Sequence, residues 1–167
     1  MTPTPLSGIS EEQRIVGAWD AAGIWARAVA VRDRLPEIPL LEDKLPGIEA
    51  ALARECSFLL MARGENGRAL AFSIVVPHED ILEVLYLAVD PSAWGNGLAR
   101  RLLDYLRHHS VTTKIPMELW VIADKTRAIS TYESAGWSAT SEVKIRNSGG
   151  RPERRFTLSP QNLPTAV

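Results

Sequence analysis

A single cysteine in 167 residues leaves Cys56 no partner inside the chain. An intramolecular disulfide and a cysteine-based metal cluster are therefore both excluded. Long apolar runs are missing too, and none approaches the ~20 residues that a bilayer span requires. The opening MTPTPLSGIS has neither a basic n-region nor an apolar h-region, so no secretory signal is expected. Neither sign of charge is in surplus: 19 Lys and Arg stand against 20 Asp and Glu, for a formal net charge of -1. That balance argues against a broad electrostatic footprint for nucleic acid or for an anionic membrane. No His, Asp and Glu spacing has the form of a metal site, and no repeat or low-complexity tract is present. The expected setting is cytoplasmic, with no nucleic-acid or membrane partner.

With 46% hydrophobic and 23% charged residues, the chain has the composition of one globular domain with a sizeable core. That domain is expected over residues 10–159, between a flexible leader at 1–9 and a flexible tail at 160–167. Gln13 to Trp19 reads as a short first strand. Ala21 to Leu35 carries a helical stripe of Ile24, Trp25, Ala28 and Val31. Pro36, Pro39 and Pro46 mark an irregular connection, and Gly47 to Arg54 reads as a second helix. The period then changes. Ser57 to Arg63 and Arg68 to Val76 are apolar runs joined by a turn with Asn66-Gly67, a hairpin signal. Cys56 has no activating neighbour and reads as a small buried apolar residue.

The most informative stretch is Ile81 to His109. Ile81 to Val89 is an apolar strand with one charge, Glu83, and Asp90-Pro91 stops it. The turn Trp94-Gly95-Asn96-Gly97 precedes a helix whose Leu98, Leu102, Leu103 and Leu106 share a face. A helix that opens on small residues presents unsatisfied N–H groups and its positive dipole end, a combination that binds phosphate. A plain tight turn accounts for the glycines equally well. Met117 to Ile122 follows as a strand parallel to Ile81–Val89 by the crossover rule. Thr126 to Ala135 is then a short helix closed by Gly136, and Trp137–Arg146 and Arg154–Leu158 form a terminal hairpin. The predicted fold class is mixed α/β: a mostly antiparallel sheet of six to seven strands, one βαβ crossover at its centre and about four helices.

Val89-Asp90-Pro91 followed by Trp94 to Ala99 resembles the acyl-CoA-binding motif of the GCN5-related N-acetyltransferases, a strand ending in V-x-P and then Q/R-x-x-G-x-G/A opening a helix. Thr126-Arg127-Ala128-Ile129, with Tyr132-Glu133 and Gly136-Trp137, is similar to that family's late motif, N-x-x-A…Y-x-x-x-G-F. The resemblance covers residues 56–158 well and the first third in outline. Trp94 stands at the family's Gln/Arg position, Lys125 at its Asn and Trp137 at its Phe.

The resemblance implies an N-acetyltransferase using acetyl-CoA, with a small-molecule or protein amine as acceptor and a homodimer as a further expectation. It gives the cofactor pyrophosphate to the amides of Gly95, Asn96, Gly97, Leu98, Ala99 and Arg100, beside an aromatic wall at Trp94. Leu87, Ala88 and Val89 would pair with the pantetheine arm as an added strand does. Lys125 would reach a phosphate or a pantetheine carbonyl as a flexible charge, and Ala128 is counted with the cofactor contacts. An N–H near Val89 would be the oxyanion donor, a contribution of ~3 kcal/mol to the barrier. Glu83 is the candidate base: by alternation it shares the face of Leu85, Leu87 and Val89, and burial would raise its pKa toward a useful value. A solvent-facing glutamate is the competing reading. Tyr132 is the candidate general acid, against a role in core packing. A non-catalytic acyl-CoA-binding protein of this fold remains an alternative. A dinucleotide-binding oxidoreductase fits less well, because the third glycine of G-x-G-x-x-G falls on Arg100.

Overall fold

The computed structural model describes residues 8–146 and 149–161. Most of the expected leader, Asn147-Ser148 of the last turn and the tail from residue 162 lie outside the described residues. Among the described residues, seven strands and four α-helices follow in the order β1 (Ile9–Glu12), α1 (Arg14–Arg32), α2 (Leu41–Leu52), β2 (Phe58–Arg63), β3 (Ala69–His78), β4 (Ile81–Val89), α3 (Leu98–Thr113), β5 (Met117–Ile122), α4 (Thr126–Ser134), β6 (Ser138–Ile145) and β7 (Pro152–Leu158). The sheet order is β1-β2-β3-β4-β5-β7-β6. The chain divides into two compact units.

The first unit holds the chain to Val76 together with Leu85–Leu102. Here β1 pairs antiparallel with β2, and β2 with β3, in a register that sets Leu59 beside Ile74 and Met61 beside Phe72. These four side chains form the core with Ile24 of α1 and Ile48 and Leu52 of α2. Leu60, Ala62, Ala71 and Val75, on the alternate face, are buried as well. A strand covered on both faces reads as a continuous apolar run, and these two do.

Two sequence expectations are corrected in this unit. Gln13 to Trp19 is no strand: α1 starts at Arg14 and takes in all but the first of these residues. Its small residues Gly17, Ala18, Ala21 and Ala22 are what lets the helix lie close to β2, and that long-range fit overrides the local β-branched signal. Pro46 does not interrupt the chain before α2 but lies inside it. The missing N–H is tolerated there because Ile48, Ala51 and Leu52 anchor the helix through its buried face. Ile9, expected at the end of a flexible leader, opens β1 opposite Ala62. Cys56 is exposed, not buried, at a backbone φ of 60° just beyond α2.

The second unit holds Pro77–Val84 and the chain from Leu103 on. β4 and β5 run parallel with Leu82 beside Met117 and Glu83 beside Glu118, as the crossover rule requires. β5 pairs antiparallel with β7, and β7 with β6. Side chains alternate along each strand. Leu119 and Phe156, in register, therefore face one side, while Glu83, Glu118, Trp120 and Arg155 face the other. One face is apolar and receives α4, whose Tyr132 ring lies 6.2 Å from that of Phe156. The opposite face is charged.

A methyl group at Gly17 would collide with Leu59 Cδ2 in the buried seam between α1 and β2. Gly17→Ala raises helix propensity by ~1 kcal/mol, yet overpacking of this kind costs about 1–3 kcal/mol. The expected outcome is a lower Tm, read by thermal denaturation. A higher Tm would show that the seam yields.

Candidate active site

Asp90 follows the last residue of β4, and almost every interaction around the glycine turn begins with it. Its N–H donates to Leu70 O of β3 at 2.7 Å. Its carboxylate, 2% exposed, accepts from Arg27 Nε of α1 at 2.6 Å, from the Ser92 N–H at 3.0 Å and from Ser92 Oγ at 2.7 Å. Pro91 to Ala93 form one 3-10 turn that this side chain caps, with proline at the first position. Burial alone would raise the Asp90 carboxyl, but the Ser92 and Arg27 hydrogen bonds outweigh it and hold the group below the usual carboxylate range.

The loop that follows is held from both ends. Trp94, 43% exposed, donates from its indole Nε1 to Val89 O at 2.8 Å. Asn96 Nδ2 donates to Ala93 O at 3.1 Å. Gly95 and Gly97 have φ of +83° and +73°, and no atom lies within 4 Å of where a Cβ would stand on either. The loop therefore combines left-handed backbone with open space above it, the two conditions for a phosphate to approach main-chain amides. Arg101 N–H bonds to Gly97 O at 3.1 Å, and the amides before it precede the helix's own acceptors, as at any helix start. Leu98 buries its side chain, Ala99 is half-buried and Arg100 is exposed. Leu87, Ala88 and Val89 are the last three residues of β4, so this unit brings together the residues expected to hold the cofactor arm and its pyrophosphate. Such a loop fits the pyrophosphate of a coenzyme.

The second unit carries the other predicted residues. Glu83 is buried, and the run Leu82-Glu83-Val84 is buried throughout. The solvent-facing reading of Glu83 is thereby corrected. Its carboxylate is not stranded, because Arg146 Nη1 meets Glu83 Oε1 at 2.8 Å. The Arg146 guanidinium also lies over Trp120, 4.9 Å from the ring centroid, and Lys144 Nζ stands 5.5 Å from the same ring. Glu118, in register with Glu83, is buried and bonded to Arg155 Nε at 2.6 Å. Tyr132 lies on α4, against the face opposite to Glu83. Burial pushes its phenol up to about 12. Lys125 is the residue before α4; its N–H donates to Ile122 O at 3.0 Å, and its carbonyl accepts from the Ile129 N–H at 3.0 Å. Ala128, in the first turn of α4, is half-buried.

Sequence reasoning missed Arg27, Arg146, Glu118 and Arg155. Their partners are 37 to 63 residues away, beyond any local pattern. The Asp-Pro-Ser sequence at 90–92 was a readable cap, since Asp before Pro at a helical first position is a known start signal.

Because the folded Asp90 carboxyl sits below its unfolded value, its ionised form contributes stability above the unfolded value. That contribution is lost as pH falls through the folded value. Asp90→Asn is expected to cost about 1–2 kcal/mol at pH 7. The gap to wild type should narrow below about pH 4, as followed by denaturant unfolding across pH. A pH-independent gap would show that the charge is immaterial.

Comparison with known proteins bears on the family and the fold. Over 98 residues, 58% of this chain, the sequence is 37% identical to the mycothiol acetyltransferase of Gordonia bronchialis. The match takes up 31% of that protein, so the matched part of this chain spans about a third of its curated relative. The crystal structure of the ribosomal-protein-S18-alanine N-acetyltransferase from Escherichia coli superimposes with a TM-score of 0.69 at 22% identity, covering 95% of this chain and 97% of that one. An aminoglycoside 6'-N-acetyltransferase complexed with coenzyme A gives 0.67 at 15% identity, covering 93% and 98%. At such identities these two structures speak for the fold. The profile of the Acetyltransferase (GNAT) family matches residues 10–137, well over half of the sequence, and the chain belongs to that family.

Proposed function

We propose that this chain is an N-acetyltransferase that moves the acetyl group of acetyl-CoA to a primary amine of a small molecule or protein. The observation that carries the reading is the open Gly95–Gly97 loop, clasped to the end of β4 and leading into a 16-residue helix. When bound, acetyl-CoA supplies a thioester carbonyl open to direct attack by the amine. The amides of Gly95 to Arg100 hold the pyrophosphate, Leu87 to Val89 align the arm, and Lys125 offers its charge to a phosphate or to a pantetheine carbonyl. The Val89 N–H donates to the carbonyl oxygen as negative charge develops there.

Glu83 takes the proton that the acceptor ammonium must shed. Arg146 engages Glu83 Oε1, so the proton is accepted at Oε2. Tyr132 returns a proton to the departing sulfur. A phenol that titrates near 12 is protonated throughout the physiological range, the state a general acid needs. In this reading Glu83 acts on the incoming amine and Tyr132 on the leaving thiolate. In the sheet order β6 is outermost and it exposes Val143 and Ile145, which supports a homodimer through this strand. Light scattering should then give twice the chain mass, and a monomer at all concentrations would remove that part of the reading.

Acetyl-CoA should raise the Tm while NAD leaves it in place. In a panel of amines assayed by thiol release, Tyr132→Phe should lower kcat by roughly 10²-fold or more, and Glu83→Gln should lower kcat/KM similarly. No shift with acetyl-CoA would remove the acyl-transfer reading. An unaltered kcat/KM in Glu83→Gln across pH would remove the base.

A further inference from the structure

Trp94 stands where the family's motif has Gln or Arg, and its indole has a definite partner. The Asp90 N–H points to β3, to Leu70 O. Main-chain groups alternate sides along a strand, so the N–H and C=O of Val89 and of Leu87 point away from β3. These four groups are the ones the proposed acetyl-CoA would meet with its arm and its thioester carbonyl. One of them, Val89 O, is already taken by Trp94 Nε1 at 2.8 Å. The ring stands at the surface, and the residues from Trp94 to Gly97 are all exposed, so burial does not hold the loop in place. It is held by directional bonds, and among the described residues the Trp94 bond ties it back to the strand.

We infer that Trp94 is a positioning residue: its indole N–H clasps the phosphate loop to the last carbonyl of β4. The clasp presets the loop amides before any ligand arrives, and it leaves Leu87 N–H and Leu87 O to the arm and Val89 N–H to the thioester carbonyl. This rests on the acetyl-CoA reading for its function, but the clasp itself is a property of the free protein.

The discriminating variant is Trp94→Phe, which keeps a ring and removes only the donor. In the free protein, amide hydrogen exchange at Arg101, whose N–H is held by Gly97 O of the loop, should quicken by about fivefold, the equivalent of one hydrogen bond. Calorimetry with coenzyme A, and with 3'-phosphoadenosine 5'-diphosphate, which lacks the arm, should show about fivefold weaker binding of both. Trp94→Gln, which retains an N–H donor, should recover part of both losses. Exchange in Trp94→Phe equal to wild type overturns the clasp. Binding of the diphosphate within twofold of wild type overturns its role in presetting the loop. If the wild-type chain binds neither ligand, the acyl-transfer reading fails, while the exchange comparison still decides on the clasp.

Discussion

The structure around the glycine loop depends on one buried carboxylate. Asp90 has to end a strand, start a turn and accept a guanidinium from α1 within a few ångströms. Burying such a group without partners would cost several kcal/mol. With Ser92 and Arg27 donating to it, the same burial fixes direction. The chain leaves β4 along one path, because any other would leave the carboxylate unsatisfied. Trp94 then reaches Val89 O and Asn96 reaches Ala93 O, and the two glycines take φ values closed to most residues. The loop is thus determined by polar bonds of defined geometry, since its own residues bury little.

The second unit solves a related problem by different means. Glu83 and Glu118 are neighbours on parallel strands, with side chains on one face about 5 Å apart. Two buried like charges at that spacing repel each other strongly in a poorly screened interior. The terminal hairpin answers with one arginine for each: Arg146 for Glu83 and Arg155 for Glu118. This gives a physical reason for the basic side chains at the end of the sequence, which in composition alone only balance the acids. It also means that the Glu83 carboxylate is held in the sheet beside its counter-ion, next to an aromatic ring that keeps that counter-ion in place.

What the sequence made legible was what local pattern encodes. Met117–Ile122 has the predicted bounds, the parallel pairing of β4 with β5 followed from the crossover rule, and the glycine turn before α3 was read from two residues and a strand stop. The first turns of α1 were misread because their helical state is decided by Leu59, more than 40 positions away. The interior Pro46 misled for a similar reason, since the packing that rescues it comes from other elements. At the candidate site the residue types were visible and the partners were not. A glutamate in an apolar strand can be recognised as anomalous, but Arg146, 63 residues further on, cannot be deduced from it. Likewise Trp94 could be seen as a departure from the motif, whereas its bond to Val89 depends on where the indole points.

The exposed thiol of Cys56 has a chemical consequence. It sits in a left-handed turn beyond α2, in a chain with no second cysteine to oxidise onto. Disulfide reagents that colour with free coenzyme would exchange with it too, adding up to one equivalent per chain before any turnover. A serine at that position would silence this background, and a maleimide dye placed there would report on the α2 end of the first unit from a single known address.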